Sequence, residues 1–134
     1  MTPGQMIKRD ILVRAIAEND DLQWDGEITA DNIDEAYDKV LIENDAHFDY
    51  ESEFRSGDVE TGLETEWSRH YESKAVAKKL SDGTWVGWTY WHGGGKHGEP
   101  GAIEWMEDAY FVDVKEEEKM VLVREFTKLE TTQV

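Results

Sequence analysis

Apolar residues recur with two different periods along this chain, and the period changes after residue 66. In the first part they return every three or four positions, which is the spacing of an amphipathic helix. A first helix is predicted over residues 3–17, because Thr2 can cap its N-terminus and Pro3 suits its first turn. The acidic and amide residues that follow favour a turn, so the helix should end there.

A second helical pattern starts where Thr29 can act as an N-cap, and its apolar side continues as far as Phe48. Two arrangements fit this segment. Either one helix runs to about Arg55, or the helix breaks near Asn44 and Asp45, whose side chains compete for backbone hydrogen bonds. The pattern leaves both open.

Beyond the helices, apolar positions alternate with polar ones, as expected for strands. Strands are predicted over residues 70–80 and 85–92, joined by the turn sequence Ser-Asp-Gly-Thr into a β-hairpin. Two more strands are predicted over residues 109–115 and 120–128. The segment over residues 57–68 holds few apolar residues and should be an irregular connection.

Helices followed by a run of strands predict an α+β fold, in which two N-terminal helices pack on one face of a C-terminal four-stranded antiparallel sheet. A chain of 134 residues is long enough for one core and too short for two, so residues 1–134 should form a single domain. Its acidic helical part would cover about residues 1–66, and its sheet part about residues 67–130. Five apolar residues are predicted to be buried between the two layers: Ile11, Ile33, Val40, Val112 and Leu122.

Composition narrows the class of protein. The sequence has no cysteine, which excludes disulfides, thiolate metal ligands and a cysteine nucleophile, and fits a reducing compartment. The N-terminus lacks the apolar run of a signal peptide, and no stretch approaches the roughly 20 apolar residues of a membrane span. A cytoplasmic location without membrane contact is therefore expected.

Negative charge is concentrated in one third of the chain. Of the formal net charge of −17, residues 18–66 account for −16, from 18 acidic and two basic residues, whereas the other 13 acidic and 12 basic residues nearly cancel. A small domain needs a net charge of only about 2 to 8 for solubility. Acidic surfaces repel nucleic-acid phosphates and membrane headgroups, so the expected partner is a basic protein. The predicted partner-binding residues are Asp31, Asp34, Glu35, Asp38, Asp45, Asp49 and Glu53.

These features favour a small interaction protein that imitates a polyanion. Such a protein would occupy the nucleic-acid site of a basic partner, for example a nuclease or a defence complex. Acidic inhibitors made by phages and mobile elements are the analogous type. An ordinary solvated acidic face is the plain alternative.

A second hypothesis starts from residues 85–100, which combine three tryptophans with the loop sequence His-Gly-Gly-Gly-Lys-His. Adjacent glycine amides and a lysine can hold an anion, and a tryptophan can stack on a ring. The chain would then be a small-molecule-binding domain or a minor enzyme. The candidate ligand-binding residues are Trp88, Trp91, His92, Gly94, Gly95, Lys96 and His97.

The same stretch lacks both a phosphate-loop pattern and a nucleophile elbow, so a plain connecting loop is the simpler interpretation. The spacing of the histidines matches no zinc template, and we expect no metal and no cofactor. Strand alternation should place Trp85 and Trp91 on one face of the sheet and Trp88 and Tyr90 on the other, with one pair in the core.

Overall fold

Helices precede a four-stranded antiparallel sheet in the computed structural model, which describes residues 1–93 and 103–129. The predicted α+β class, with the helices first and an antiparallel sheet after them, is confirmed. The helices are α1 (Pro3–Glu18), α2 (Ile33–Tyr37), which continues as a π-helical turn over Asp38–Ile42, and α3 (His47–Arg55). The strands are β1 (Val59–Glu60), β2 (Glu72–Lys79), β3 (Trp85–His92) and β4 (Tyr110–Phe111).

The first helix begins and ends where the sequence predicts. Thr2 and Gln5 form a capping box, in which the Gln5 amide donates to Thr2 Oγ1 at 3.1 Å and the Thr2 amide donates to Gln5 Oε1 at 2.9 Å. These bonds satisfy donors that a helix start leaves free. The buried face of α1 carries Ile7, Ile11 and Leu12 and packs against α2 and α3.

The second helical segment is broken, so the arrangement with a break at Asn44 and Asp45 is the correct one. Asn44 Nδ2 donates to the carbonyl oxygens of Val40 at 2.8 Å and Lys39 at 3.3 Å, which ends the helix by satisfying its last acceptors. Asp45 then adopts a left-handed conformation with φ of 54° and turns the chain toward α3. Asparagine and aspartate tolerate that conformation better than most residues, which explains the position of the break.

The start of α2 is three residues later than predicted, because its N-cap is Asn32 and not Thr29. The Asn32 side chain accepts from the Thr29 amide at 2.7 Å and donates to the Glu27 carbonyl at 2.7 Å. These bonds hold residues 29–32 in a turn, so the first helical residue is Ile33.

The predicted hairpin is confirmed. β2 and β3 pair along their whole length, from Glu72 opposite His92 to Lys79 opposite Trp85. Its turn closes with the Leu80 amide donating to the Thr84 carbonyl at 2.8 Å, and Gly83 takes the positive φ of 90° that the turn requires.

The two outer strands differ from the prediction. β1 lies in the segment predicted to be irregular, and β4 is only two residues long. β4 meets β3 near the N-terminal end of β3, because Phe111 lies opposite Val86 and the Val112 amide donates to the Trp85 carbonyl at 3.1 Å. Beyond Val112 the chain has passed the end of β3, and a strand cannot continue without a neighbouring backbone.

The predicted strand over residues 120–128 is wrong for the same reason. Its alternating pattern is strand-like, but the two-residue β4 offers almost no edge for it, and the segment is extended and exposed. Leu122 is 77% exposed, so its assignment to the core is also wrong.

The core lies between the helices and one face of the sheet. Ile11, Ile33 and Val40 are buried as predicted, whereas Val112 is half-buried. Phe48, placed on the apolar side of the second helix by its spacing, is 56% exposed because the break at residue 45 reorients α3. None of the helices in the described part of the chain is long and apolar enough to span a membrane.

Candidate functional site

The seven predicted partner-binding carboxylates all lie on the exposed side of the segment from the turn before α2 to the end of α3. We call this set the acidic surface: Asp31, Asp34, Glu35, Asp38, Asp45, Asp49 and Glu53. The opposite side of the same segment is apolar and enters the core through Ile33, Ala36, Leu41 and Phe54. Burial of that side therefore fixes which residues the acidic surface presents to solvent.

The first helix contacts two carboxylates of the acidic surface that lie far apart in the sequence. Asp34 of α2 contacts Lys8 at 3.1 Å, and Glu53 of α3 contacts Arg14 at 2.9 Å. Lys8 and Arg14 are six residues apart on α1, which is about 9 Å along the helix axis. Asp34 and Glu53 thus flank the same helix although 19 positions separate them in the sequence.

Three of the seven carboxylates have internal partners. Asp34 accepts from Lys8 and from Gln5 Nε2 at 3.2 Å, and these hydrogen bonds lower the pKa of Asp34. Glu35 contacts Lys39 at 2.7 Å, which lowers the pKa of Glu35. All these pairs are exposed, so each contributes little to stability.

The other four carboxylates are Asp31, Asp38, Asp45 and Asp49. None of them makes an ion pair or a side-chain hydrogen bond with any residue in the ranges 1–93 and 103–129. They are therefore the acidic groups that a basic partner can bind without first displacing an internal cation.

A buried polar contact holds α2 and α3 together beneath this surface. The Tyr37 hydroxyl donates to Glu51 Oε1 at 2.5 Å, and Lys8 lies 5.6 Å from the centre of the Tyr37 ring. Burial, and then the hydrogen bond to Glu51, raise the pKa of Tyr37 well above its ordinary value, so the hydroxyl stays protonated and remains a donor. Helical spacing does not predict this pair, because its members are 14 residues apart across the helix break.

Carboxylates on the sheet side are paired instead. Glu60 contacts Lys74 at 2.7 Å and Asp58 contacts Lys78 at 2.9 Å, which ties the edge strand β1 to β2. Asp82 in the hairpin turn contacts Arg9 of α1 at 3.0 Å. The acids of β1 and of the hairpin turn are thus paired, whereas Asp38 and Asp49 of the helical segment have no ion pair with a described residue.

The aromatic strand divides between core and surface as predicted. Trp88 is fully buried, with ring centroids 5.6 Å from Phe54 and 5.1 Å from Trp105, and its Nε1 donates to the Arg55 carbonyl at 2.7 Å. Both its ring and its polar atom are thus engaged within the protein. Trp88 is a core residue and offers no surface on which a ligand can stack.

The remaining candidate ligand residues lie at the far end of β3. Trp91 is half-buried and lines a hollow of about 230 Å³, and its carbonyl accepts a hydrogen bond from Arg55. His92 stacks on Tyr90 at 5.6 Å, with its Nδ1 3.6 Å from Glu72 Oε2. The candidates Gly94, Gly95, Lys96 and His97 lie outside the described residues.

A larger open hollow of about 850 Å³ lies between residues 65–73 and the end of β3. Its walls combine basic, acidic and aromatic groups, including Arg69, Glu72 and the 85% exposed Trp67. Sequence reasoning did not find it, because residues 65–73 carry no motif. No group of three histidine or acidic residues in the described ranges is arranged to hold a metal ion.

No family model, curated protein or solved structure matches this chain.

Proposed function

We propose that this protein is an acidic interaction protein that imitates a polyanion and occupies the basic nucleic-acid site of another protein. The observation that carries the proposal is a set of four exposed carboxylates that have no ion pair or side-chain hydrogen bond with a described residue. They lie in the turn before α2, in the π-helical turn, at the helix break and in α3: Asp31, Asp38, Asp45 and Asp49. The partner is a basic cytoplasmic protein such as a nuclease or a defence complex. In this proposal the protein belongs to the same functional class as the small acidic inhibitors made by phages and mobile elements.

The spacing of the carboxylates supports this function. Asp34 and Asp38 are four positions apart, as are Asp49 and Glu53 within α3. Residues at this spacing on a helix have Cβ atoms about 5–6 Å apart, and two like charges destabilise the helix by about 0.2–0.5 kcal/mol. A surface that only needs to be solvated can avoid this repulsion by mixing charges. A basic site that binds the phosphates of a nucleic acid also attracts a dense row of carboxylates.

Two exposed apolar side chains lie among the carboxylates. Ile42 is 45% exposed at the end of the π-helical turn, and Phe48 is 56% exposed in the first turn of α3. They flank Asp45 in the sequence. Charge mainly steers association and sets specificity, whereas buried aromatic and aliphatic anchors supply much of the affinity in protein interfaces. Phe48 and Ile42 therefore suit a protein partner better than a small ion.

The experiment that tests the proposal is competition with DNA. Proteins retained from a lysate by the immobilised chain at about 50 mM salt are challenged with duplex DNA and, separately, with raised salt. If the chain is a polyanion mimic, added DNA should displace it from the partner, since DNA and the chain compete for the same site. Retention that salt removes but DNA does not would show an ordinary ionic contact and contradict mimicry.

Small-molecule binding is the second candidate, favoured by the half-buried Trp91 and His92 beside the two hollows at the end of β3. A thermal-shift screen of nucleotides and sugars tests it. A ligand present at 100 times its dissociation constant adds about 2.7 kcal/mol of stability. The candidate fails if no compound stabilises the protein, or if a Trp91→Ala, His92→Ala variant is stabilised equally.

A further inference from the structure

The C-terminal segment over residues 119–129 exposes more apolar surface than any other part of the described chain. Residues 120–123 are four consecutive apolar side chains, with exposures from 77% to 104%, and Phe126 and Leu129 are each 89% exposed. Monomeric proteins rarely leave a contiguous apolar patch of this kind in water. Residues 119–129, which we call the tail, therefore need a binding surface.

The face of the sheet that is turned away from the helices carries such a surface. An apolar groove of about 390 Å³ lies there, with Ala77 and Trp85 at its base, Val59 and Leu63 on one wall and Val112 and Val114 on the other. Strand alternation explains its composition. Asp58 and Glu60 reach lysines of β2, so Val59 between them is directed to the opposite face.

Charge distinguishes the tail from the rest of the chain and matches it to this groove. Within residues 119–129 there are three basic residues and one acidic residue, whereas the whole chain has a net charge of −17. The charged residues that line the groove are Asp113, Lys115 and Glu116, so its border carries one more acidic than basic residue. An apolar segment flanked by Lys119 and Arg124 thus fits an apolar groove with a weakly acidic border.

We propose that the tail of one copy occupies the groove of a second copy, so that two chains exchange their C-terminal segments in a two-fold dimer. Glu116 still lines the groove, so only residues 117 and 118 separate the groove wall from the tail. In the described structure the tail does not cover its own groove, and its apolar side chains stay exposed. One two-fold operation covers both tails and both grooves, as closed symmetric dimers require.

Cysteine pairing tests this arrangement cleanly, because the sequence contains no cysteine. A Leu63→Cys chain and a Leu122→Cys chain, carrying tags of different mass, are mixed and mildly oxidised. The expected product is a disulfide-linked pair of the two differently tagged chains. A matched control replaces Leu63→Cys by Val13→Cys, which is 51% exposed on α1 away from the groove, and should give at least tenfold less of the mixed product.

Two results would overturn the proposal. One is a mixed product that is no more abundant with Leu63→Cys than with Val13→Cys. The other is a Leu63→Cys, Leu122→Cys double variant that forms its disulfide within a single chain, which would mean that the tail returns to its own groove.

The oligomeric state gives an independent measurement. Light scattering of the unmodified chain at about 100 µM should report twice the monomer mass of 15.5 kDa. The Leu122→Glu variant should report a monomer with an unchanged circular dichroism spectrum, since Leu122 is exposed within its own chain. A monomeric parent, or a Leu122→Glu variant that dimerises as well as the parent, contradicts strand exchange. Neither assay involves the acidic surface.

Discussion

The helices and the sheet hold their carboxylates in different ways. On the sheet, Asp58 and Glu60 reach lysines of the neighbouring strand and fasten the edge strand β1. On the helices, Asp38 and Asp49 have no cation within the described part of the chain. Both groups belong to the same acidic third of the sequence, so acid content alone does not identify a contact surface. The pairing of each carboxylate does, and it reduces the predicted set from seven residues to the four that have no partner among residues 1–93 and 103–129.

The largest expected effect comes from breaking the contact between the two layers. Trp88 lies between Phe54 of α3 and Trp105, so Trp88→Ala should lower the free energy of unfolding by about 3–5 kcal/mol. Urea unfolding followed by circular dichroism measures it. The control Trp67→Ala removes an 85% exposed ring and should change stability by less than about 0.5 kcal/mol. Equal losses in the two variants would place Trp88 outside the core.

A smaller effect tests how the helical layer is held together. Tyr37→Phe removes the donor to Glu51 and should cost about 1.5–3 kcal/mol, the range for a hydrogen bond to a charged group. Tyr50→Phe is the matched control, since the hydroxyl of Tyr50 makes no hydrogen bond with a described residue. Urea unfolding should show a change below about 0.5 kcal/mol for it. If Tyr37→Phe also changes the free energy of unfolding by less than about 0.5 kcal/mol, packing alone holds α2 and α3 together.

The smallest effects should have opposite signs on the two layers. Asp38→Asn removes repulsion with Asp34 and should raise the free energy of unfolding by about 0.2–0.5 kcal/mol. Glu60→Gln breaks the contact with Lys74 and should lower it. Chemical denaturation at low ionic strength measures both, and a destabilising Asp38→Asn would mean that Asp38 has a structural partner.

The Glu60 effect should also depend on pH. Its hydrogen bond with Lys74 lowers the pKa of Glu60 below the ordinary 4.5. A group whose pKa is lowered on folding stabilises the protein above the pKa of the unfolded chain, and that stability is lost as the pH falls through the folded value. The difference between Glu60→Gln and the parent should therefore be present at pH 7 and be lost in acid, as the pH falls below 4.5 through the lowered pKa of Glu60.

Local patterns predicted much of the fold. The capping residues Thr2 and Pro3 gave the start of α1, and the Asp-Gly turn between two alternating segments gave the hairpin. Such features depend on nearby residues, so a sequence contains them directly. The helix break was one of two arrangements until the side-chain bonds of Asn44 decided it.

The failures depended on distant partners. Residues 120–128 alternate like a strand, yet β4 passes the end of β3 at Val112 and leaves them almost no edge to join. Leu122 was predicted to be in the core because it lies in that predicted strand. The seven carboxylates could be predicted as exposed from helical spacing. Their pairing with Lys8 and Arg14 of another helix could not, because it depends on how the helices pack.

The proposal depends on the binding of a basic partner by the four carboxylates of the acidic surface that have no described ion-pair partner. It is tested most directly with two charge-matched variants. The first changes Asp31, Asp38, Asp45 and Asp49 to Asn. The second changes four other exposed acids without a described ion-pair partner to their amides: Glu64, Glu66, Glu104 and Asp108. Each variant raises the formal net charge of −17 by four.

Affinity for the captured partner is then compared by titration at about 100 mM salt. At about 0.5–1 kcal/mol for each exposed charge, the first variant should bind roughly 30- to 700-fold more weakly. The second should bind within about threefold of the parent, because its four acids line the hollow beside Trp91 and not the acidic surface, and salt screens charges outside the contact. Equal losses in both variants would mean that net charge alone drives binding, and an unweakened first variant would mean that the acidic surface is not the contact.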